Sequence, residues 1–153
     1  MEYNLRNSIG FRLNNISNRI HAMFAKGIES YGIAPEQFAA MKMISEDGEM
    51  TQSKIAVMLA KAKPTVSRTL DALEKKGFIS RDEADADRRI KQIHLTKEGR
   101  EVLNAVIPMA KSFNDTLYEQ LTPQEIETFF RVLDTISDTV EQCTLKGEKN
   151  HEI

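Results

Sequence analysis

A chain of 153 residues that is 41% apolar and 29% charged is sized for one domain with a real core and has the make-up of an ordinary globular protein. Its net charge of −2 excludes an indiscriminate nucleic-acid sponge, and a single cysteine, Cys143, excludes an internal disulfide framework. The first ten residues lack a signal-peptide pattern and no run approaches the ~18 apolar residues of a membrane span, so a cytoplasmic location is expected.

From Leu5 to Ile28, the apolar residues Ile9, Leu13, Ile16, Ile20 and Met23 recur every three or four positions. They predict a long amphipathic helix ending near Tyr31-Gly32. Pro35 opens a second helix, with Phe38, Met41 and Ile44 turned inward, and Glu46-Asp47-Gly48 breaks it. Thr51 is a good N-cap for a third helix from Gln52 to about Leu59, stapled by Met50 and Ile55. Ala56 is small enough for a close helix crossing. After a break at residues 60–63, Val66, Leu70 and Leu73 mark the narrow apolar stripe of a fourth helix. Pro64, Arg68, Asp71 and Lys75 fall opposite that stripe, with Thr65 and Ser67 on its flanks. Pro64 suits the first turn and Gly77 the position just past the end.

Two short helices, a tight turn and a small residue at the crossing make a helix-turn-helix, with a bland helical hairpin as the competing reading. The outward side of the fourth helix offers an arginine and hydroxyls near its N-terminus. Arginine can read guanine O6 and N7, and Ser and Thr can reach bases or phosphates. Phe78 to Arg81 and the alternating Ile90 to Leu95 then read as two strands of a hairpin. Between them, residues 82–89 read as a charged loop with Arg88 and Arg89 near the tip, placed for a minor groove. Asp87 would orient a neighbouring arginine; a solvated charged turn is the alternative. Charge supports the first reading: residues 61–100 carry 11 basic and 7 acidic side chains, net +4, whereas residues 101–153 carry 4 and 10. The candidate DNA contacts are Thr51, Lys63, Pro64, Thr65, Ser67, Arg68, Lys75, Arg88, Arg89 and Lys91.

Thr96 caps a long helix with the stripe Leu103, Val106, Ile107, Ala110, Phe113 and Leu117, in which Pro108 is expected to cause a bend or local break. Thr122-Pro123-Gln124-Glu125 is a capping box, stapled by Leu121 and Ile126. The last helix carries Ile126, Phe129, Leu133, Ile136, Val140 and Cys143 at spacings of three and four. Two terminal helices with long seams predict an interface between two copies. That interface would be built from Ile9, Leu13, Ile16, Ile20, Ile126, Phe129, Leu133, Ile136 and Val140. The expected organisation is mainly α with a small β-hairpin wing. It has an N-terminal dimerisation helix (1–32), a winged helix-turn-helix lobe (33–95), C-terminal dimerisation helices (96–146) and a frayed tail (147–153).

The helix order, with Leu70-Asp71-Ala72-Leu73-Glu74-Lys75-Lys76-Gly77-Phe78-Ile79, Asp87-Arg88-Arg89 and Leu95-Thr96-Lys97-Glu98-Gly99, resembles the MarR family of bacterial winged-helix transcription regulators over nearly the whole chain. The resemblance implies a homodimer on a pseudo-palindromic operator, usually a repressor, with a small-molecule or oxidant signal received between dimer helices and DNA-binding lobes. It places Ser67 and Arg68 at the base-contacting positions, Arg89 at the wing arginine and Asp87 at the aspartate that steadies it. Arg88 falls where the family varies and is expected on phosphate. Two departures are visible: Ala34 stands where a hydroxyl often caps the second helix, and Lys63 where a small polar residue often precedes the recognition helix.

His21, His94 and His151 share no metal-ligand spacing, and no Cys-x-x-Cys, Gly-rich phosphate loop or dinucleotide fingerprint occurs. No metal, cofactor or enzymatic activity is therefore expected. Cys143 completes the apolar seam and reads first as a packed thiol, with a redox-responsive intersubunit disulfide as the alternative. Phe24, Phe38, Met41, Met109 and Phe113 are the candidate lining of a pocket for a small apolar or aromatic effector, although each also reads as core. A winged-helix module that binds protein rather than DNA is the competing function.

Overall fold

The computed structural model describes residues 4–48, 50–84 and 87–149. In chain order the elements are α1 (Ile9–Ile28), α2 (Pro35–Glu46), β1 (Met50–Thr51), α3 (Gln52–Met58), α4 (Lys63–Lys75), β2 (Ile79–Ala84), β3 (Asp87–Leu95), α5 (Lys97–Tyr118) and α6 (Pro123–Lys149). The three strands form one antiparallel sheet in the order β1-β3-β2. The chain divides into two compact units, Met1–Lys111 and Ser112–Ile153.

The first unit holds the core. Val66, Leu70 and Leu73 of α4 are at most 1% exposed, so the narrow stripe read from their spacing is the buried face. They pack in one cluster with Met41 and Ile44 of α2, Ile55 and Ala56 of α3, and Ile79 and Ile93 of the sheet. Met50 and Ile55, the expected staple, are both fully buried. Thr51 caps α3 as expected: its hydroxyl accepts the Lys54 N–H at 3.3 Å. Ala34 gives α2 no side-chain cap, and the Gln37 side chain compensates by accepting the Ala34 N–H at 3.2 Å.

Several boundaries differ from the sequence reading, each for a local reason. The first helix starts at Ile9 because Asn4 and Ser8 cap separately, closing a short 3-10 turn over Leu5–Asn7 before α1 begins. Met50 and Thr51 add a third strand, opposite Ile93 and Gln92. Two residues are too few to show a period. The segment read as a charged loop is mostly strand, since β2 runs to Ala84 and β3 starts at Asp87. A two-stranded ribbon needs no apolar face along its whole length, so charge did not rule out pairing. Register shifts in that ribbon: Glu83 lies opposite Lys91, but Ala84 lies opposite Asp87. Among the described residues, Arg88 to Ile90 fall within that shift and pair with no residue of β2. Pro108 does not break α5, which runs through it to Tyr118. It withdraws one donor from the carbonyl of Asn104, an exposed residue where water can take its place.

The turn into α5 is a clamp. The Thr96 hydroxyl donates to the Gly77 carbonyl at 2.6 Å and accepts the Gly99 N–H at 3.0 Å, while the Thr96 N–H reaches the Phe78 carbonyl at 3.1 Å. Gly77, at φ 74°, takes the left-handed conformation that ends α4.

In the second unit, Glu125 completes the predicted capping box on α6. Its carboxylate accepts the Thr122 N–H and hydroxyl, both at 2.8 Å, and the Thr122 hydroxyl accepts the Glu125 N–H at 3.3 Å. These bonds stabilise the ionised carboxylate and lower its pKa from the usual value. Among the described side chains, α6 has none that is buried. No helix of the described residues is long and apolar enough to cross a membrane.

Candidate nucleic-acid interface

With Val66, Leu70 and Leu73 anchored in the core, the helical period turns the other side of α4 outward. Lys63, Pro64, Thr65, Arg68 and Lys75 are all exposed. Ser67 is half-buried, and its hydroxyl lies 3.5 Å from Asp71 Oδ2. Lys91 of β3 is exposed. Thr51 is half-buried and its hydroxyl is already engaged as the α3 cap. Asp87, Arg88 and Arg89 contribute backbone to β3, but their side chains lie outside the described residues.

The tight turn between α3 and α4 is closed by Ala60, the one non-glycine residue with positive φ (49°) among the described residues. Its N–H bonds the Val57 carbonyl at 3.1 Å and the Lys61 N–H bonds the Ala56 carbonyl at 3.0 Å, which ends α3 in the usual left-handed way. Gln52, at the start of α3, points its amide at the Lys63 carbonyl at 3.5 Å. The two helix N-termini are thereby brought to one surface.

Two residues absent from the sequence-derived site hold α4 in place. Arg81, with its side chain only 17% exposed, donates from Nη2 to Asp71 Oδ1 at 2.7 Å, and its Nη1 lies 3.6 Å from Glu74 Oε2. A fork of this kind joins β2 to α4 and engages the two acidic groups of α4. The period-2 alternation held the signal, because Arg81 shares a strand face with buried Ile79. Lys76, at the other end of the helix, bonds the Gly32 carbonyl and the Gln37 side chain.

The aromatic and methionine side chains read as an effector pocket are placed differently. Met41 is fully buried, while Phe24, Phe38 and Met109 pack against the core. Phe24 meets Phe38 edge-on at 5.4 Å between ring centroids. Phe113 lies half-buried on the part of α5 within the second unit. The first unit instead opens a cleft of about 230 Å³ lined by His21, Glu36, Leu59, Lys61, Val66 and Thr69 among others. His21 Nε2 lies 3.2 Å from Glu36 Oε1 at its edge. Among the described residues no group of three His, Cys, Asp or Glu side chains gathers as a metal site. Cys143 is exposed on α6.

The exposed apolar residues concentrate on the terminal helices. Ile9 is 59% exposed and Ile16 52%, with Leu13 and Ile20 also exposed on α1. On α6, Phe129 and Val140 are exposed, while Ile126, Leu133 and Ile136 are half-buried.

The MarR family model matches residues 33–91, the stretch from α2 into β3. The transcriptional repressor MprA of Escherichia coli K12 is 30% identical over 76% of this chain and 69% of its own length. The chain superposes on Staphylococcus aureus MepR, solved in a complex with DNA, with a TM-score of 0.81. The two are 27% identical, over 86% of this chain and 98% of MepR. BpsR of Bordetella bronchiseptica, whose DNA binding is regulated by 6-hydroxynicotinic acid, gives a TM-score of 0.82 at 22% identity, over 90% and 99% of the two chains. The chain belongs to the MarR family of winged-helix transcriptional regulators.

Proposed function

We propose that this regulator binds double-stranded DNA as a homodimer, at a pseudo-palindromic operator, and represses transcription until a small molecule releases it. One observation carries the DNA part: α4 buries one stripe completely and turns Lys63, Thr65, Arg68 and Lys75 outward, with exposed Lys91 on the neighbouring hairpin. Arg68, with Ser67, reads bases, while Lys63, Lys75 and Lys91 meet phosphates. Arg89 enters the flanking minor groove, with Arg88 on phosphate and Asp87 as the steadying acid. The exposed seams of α1 and α6 supply the apolar area that a second copy would cover. Two recognition helices in successive major grooves would stand about 34–36 Å apart.

The cleft beside α4 supports the effector part. It has an apolar floor of Leu59 and Val66 and a rim of His21, Glu36, Lys61 and Thr69, which suits a small amphipathic molecule. Since Val66 and Thr69 belong to α4, an occupant contacts the recognition helix itself. A ligand that favours one orientation of that helix shifts DNA affinity by its preference between the two states.

Selection from random duplex DNA tests the reading. Enrichment of an inverted repeat, bound by two chains with an affinity that falls steeply with salt, is expected. Failure to bind any duplex in dilute buffer would refute it and favour a protein-binding winged helix.

A further inference from the structure

We infer that Lys76 is a positioning residue for DNA recognition, acting from the protein side of α4 rather than on DNA. The inference rests on the DNA-binding reading above. Lys76 follows directly on α4 and precedes the left-handed Gly77. A lysine at that end of a recognition helix would ordinarily be read as a dipole partner or a phosphate contact. Its ammonium is instead engaged by the protein at the surface. Nζ donates to the Gly32 carbonyl at 2.7 Å and to Gln37 Oε1 at 2.8 Å, across 44 and 39 positions of sequence. An ammonium has three donors, so two are committed to neutral protein oxygens.

Those acceptors matter because of what they belong to. Gly32, at φ 71°, closes the 3-10 turn that leads out of α1. Gln37 Oε1 also accepts the Ala34 N–H at 3.2 Å and so closes the start of α2, which has no hydroxyl cap. One ammonium thus gathers the exit of α1, the entry of α2 and the end of α4. The helix is fixed at its flank by Arg81 and at its end by Lys76. Any movement of the α1–α2 turn is transmitted to the recognition helix at the end remote from Lys63 and Pro64.

The test uses the full chain, the inverted-repeat duplex recovered by selection and a scrambled duplex of equal length. Lys76→Met and Gln37→Met are each expected to weaken the selected duplex roughly fivefold to tenfold, the scale of one hydrogen bond to a charged group. Binding to the scrambled duplex should hold within about twofold, and the slope of log affinity against log salt should not change. The double variant should be weaker by less than the two single effects combined, because both substitutions cut the Lys76–Gln37 bond. Gln37→Glu keeps the acceptor oxygen and should bind as the unmodified chain does, although it adds a negative charge. Where Lys76→Met fails to fold, as judged by its thermal melt, Gln37→Met and Gln37→Glu decide the matter. A salt slope that drops by about 0.9 in Lys76→Met would make it a phosphate contact and overturn the inference. Unchanged binding by Gln37→Met would overturn it too. An unmodified chain that binds no duplex would instead sink the DNA-binding reading, and this one with it.

Discussion

Among the described glycines, Gly99 has the least room for a side chain. A Cβ built there would sit 1.9 Å from the Phe78 carbonyl oxygen, 2.8 Å from its carbon and 3.0 Å from its Cα. A carbon meets a carbonyl oxygen comfortably at about 3.3 Å, so the start of α5 would have to lift by more than ~1 Å. The obstacle is backbone, and no side chain can rotate away to relieve it. Lifting α5 stretches two bonds of the Thr96 clamp, to the carbonyls of Gly77 and Phe78. Overpacking costs ~2 kcal/mol and the two hydrogen bonds ~2 more, while alanine regains ~1 from helix propensity. Gly99→Ala should therefore destabilise the protein by about 3 kcal/mol, or lower Tm by about 6–12 °C for a chain of this length. Urea and thermal unfolding followed by circular dichroism, at one fixed protomer concentration, measure it. Gly10→Ala is the control, since nothing lies within 4 Å of its added Cβ and it should be neutral or gain up to ~1 kcal/mol. A Gly99→Ala variant that melts at or above the unmodified chain would refute the reasoning.

Arg68→Ala should weaken the selected duplex by about 1–3 kcal/mol and relax base preference, whereas equal loss on random duplex would remove its base-reading role. Arg81→Met strips the charge partner from Asp71 and Glu74 and should cost about 1–3 kcal/mol of stability by urea titration; no change would mean the fork only decorates the surface. Ala60→Gly relieves a left-handed alanine at φ 49° and should stabilise by about 0.5–1 kcal/mol, read as a higher urea midpoint. Glu125, hydrogen-bonded to Thr122, has a folded pKa held below the usual carboxylate value. Its contribution to stability is thus present above that value and lost as pH falls through the lower folded one. A carboxylate NMR titration should place its midpoint below 4.5, and a midpoint at or above 4.5 would contradict the capping-box account.

Features governed by one repeating pattern were legible in the sequence. The stripe of α4, the caps at Thr51, Thr96 and Thr122, and the helix stop at Gly77 follow from period or from single-residue chemistry, and the structure shows each of them. Features made by distant pairs were not legible. Arg81 meets Asp71 because a strand folds back on the helix, and Lys76 meets Gly32 and Gln37 across about forty positions. The break at residues 60–63 was legible, but the left-handed backbone of Ala60 was not, because glycine, the usual sign of it, is absent there. The effector reading gathered Phe24, Phe38, Met41, Met109 and Phe113 by chemical type, and each was also read as core. Apolar residues at helical spacing fill a core first, and the cleft opens at a more polar seam around His21, Glu36 and Lys61.

The acidic residues of α4 make sense once Arg81 is placed. Asp71 and Glu74 would repel phosphate if they stood free near the DNA-facing side. Arg81 draws both toward the wing, which leaves Lys63, Arg68 and Lys75 to set the outward field of the helix. Ser67 borrows from the same arrangement, its hydroxyl lying 3.5 Å from the Asp71 carboxylate that Arg81 holds. If α4 reads DNA as proposed, the acids would convert charge into position, costing little attraction while tying the helix to β2 through Arg81. A chain of net charge −2 with a net +4 segment at its reading head would gain little on arbitrary duplex. On the DNA-binding reading proposed above, discrimination would rest on how firmly α4 is held, and Arg81 bonds its flank while Lys76 bonds at its end.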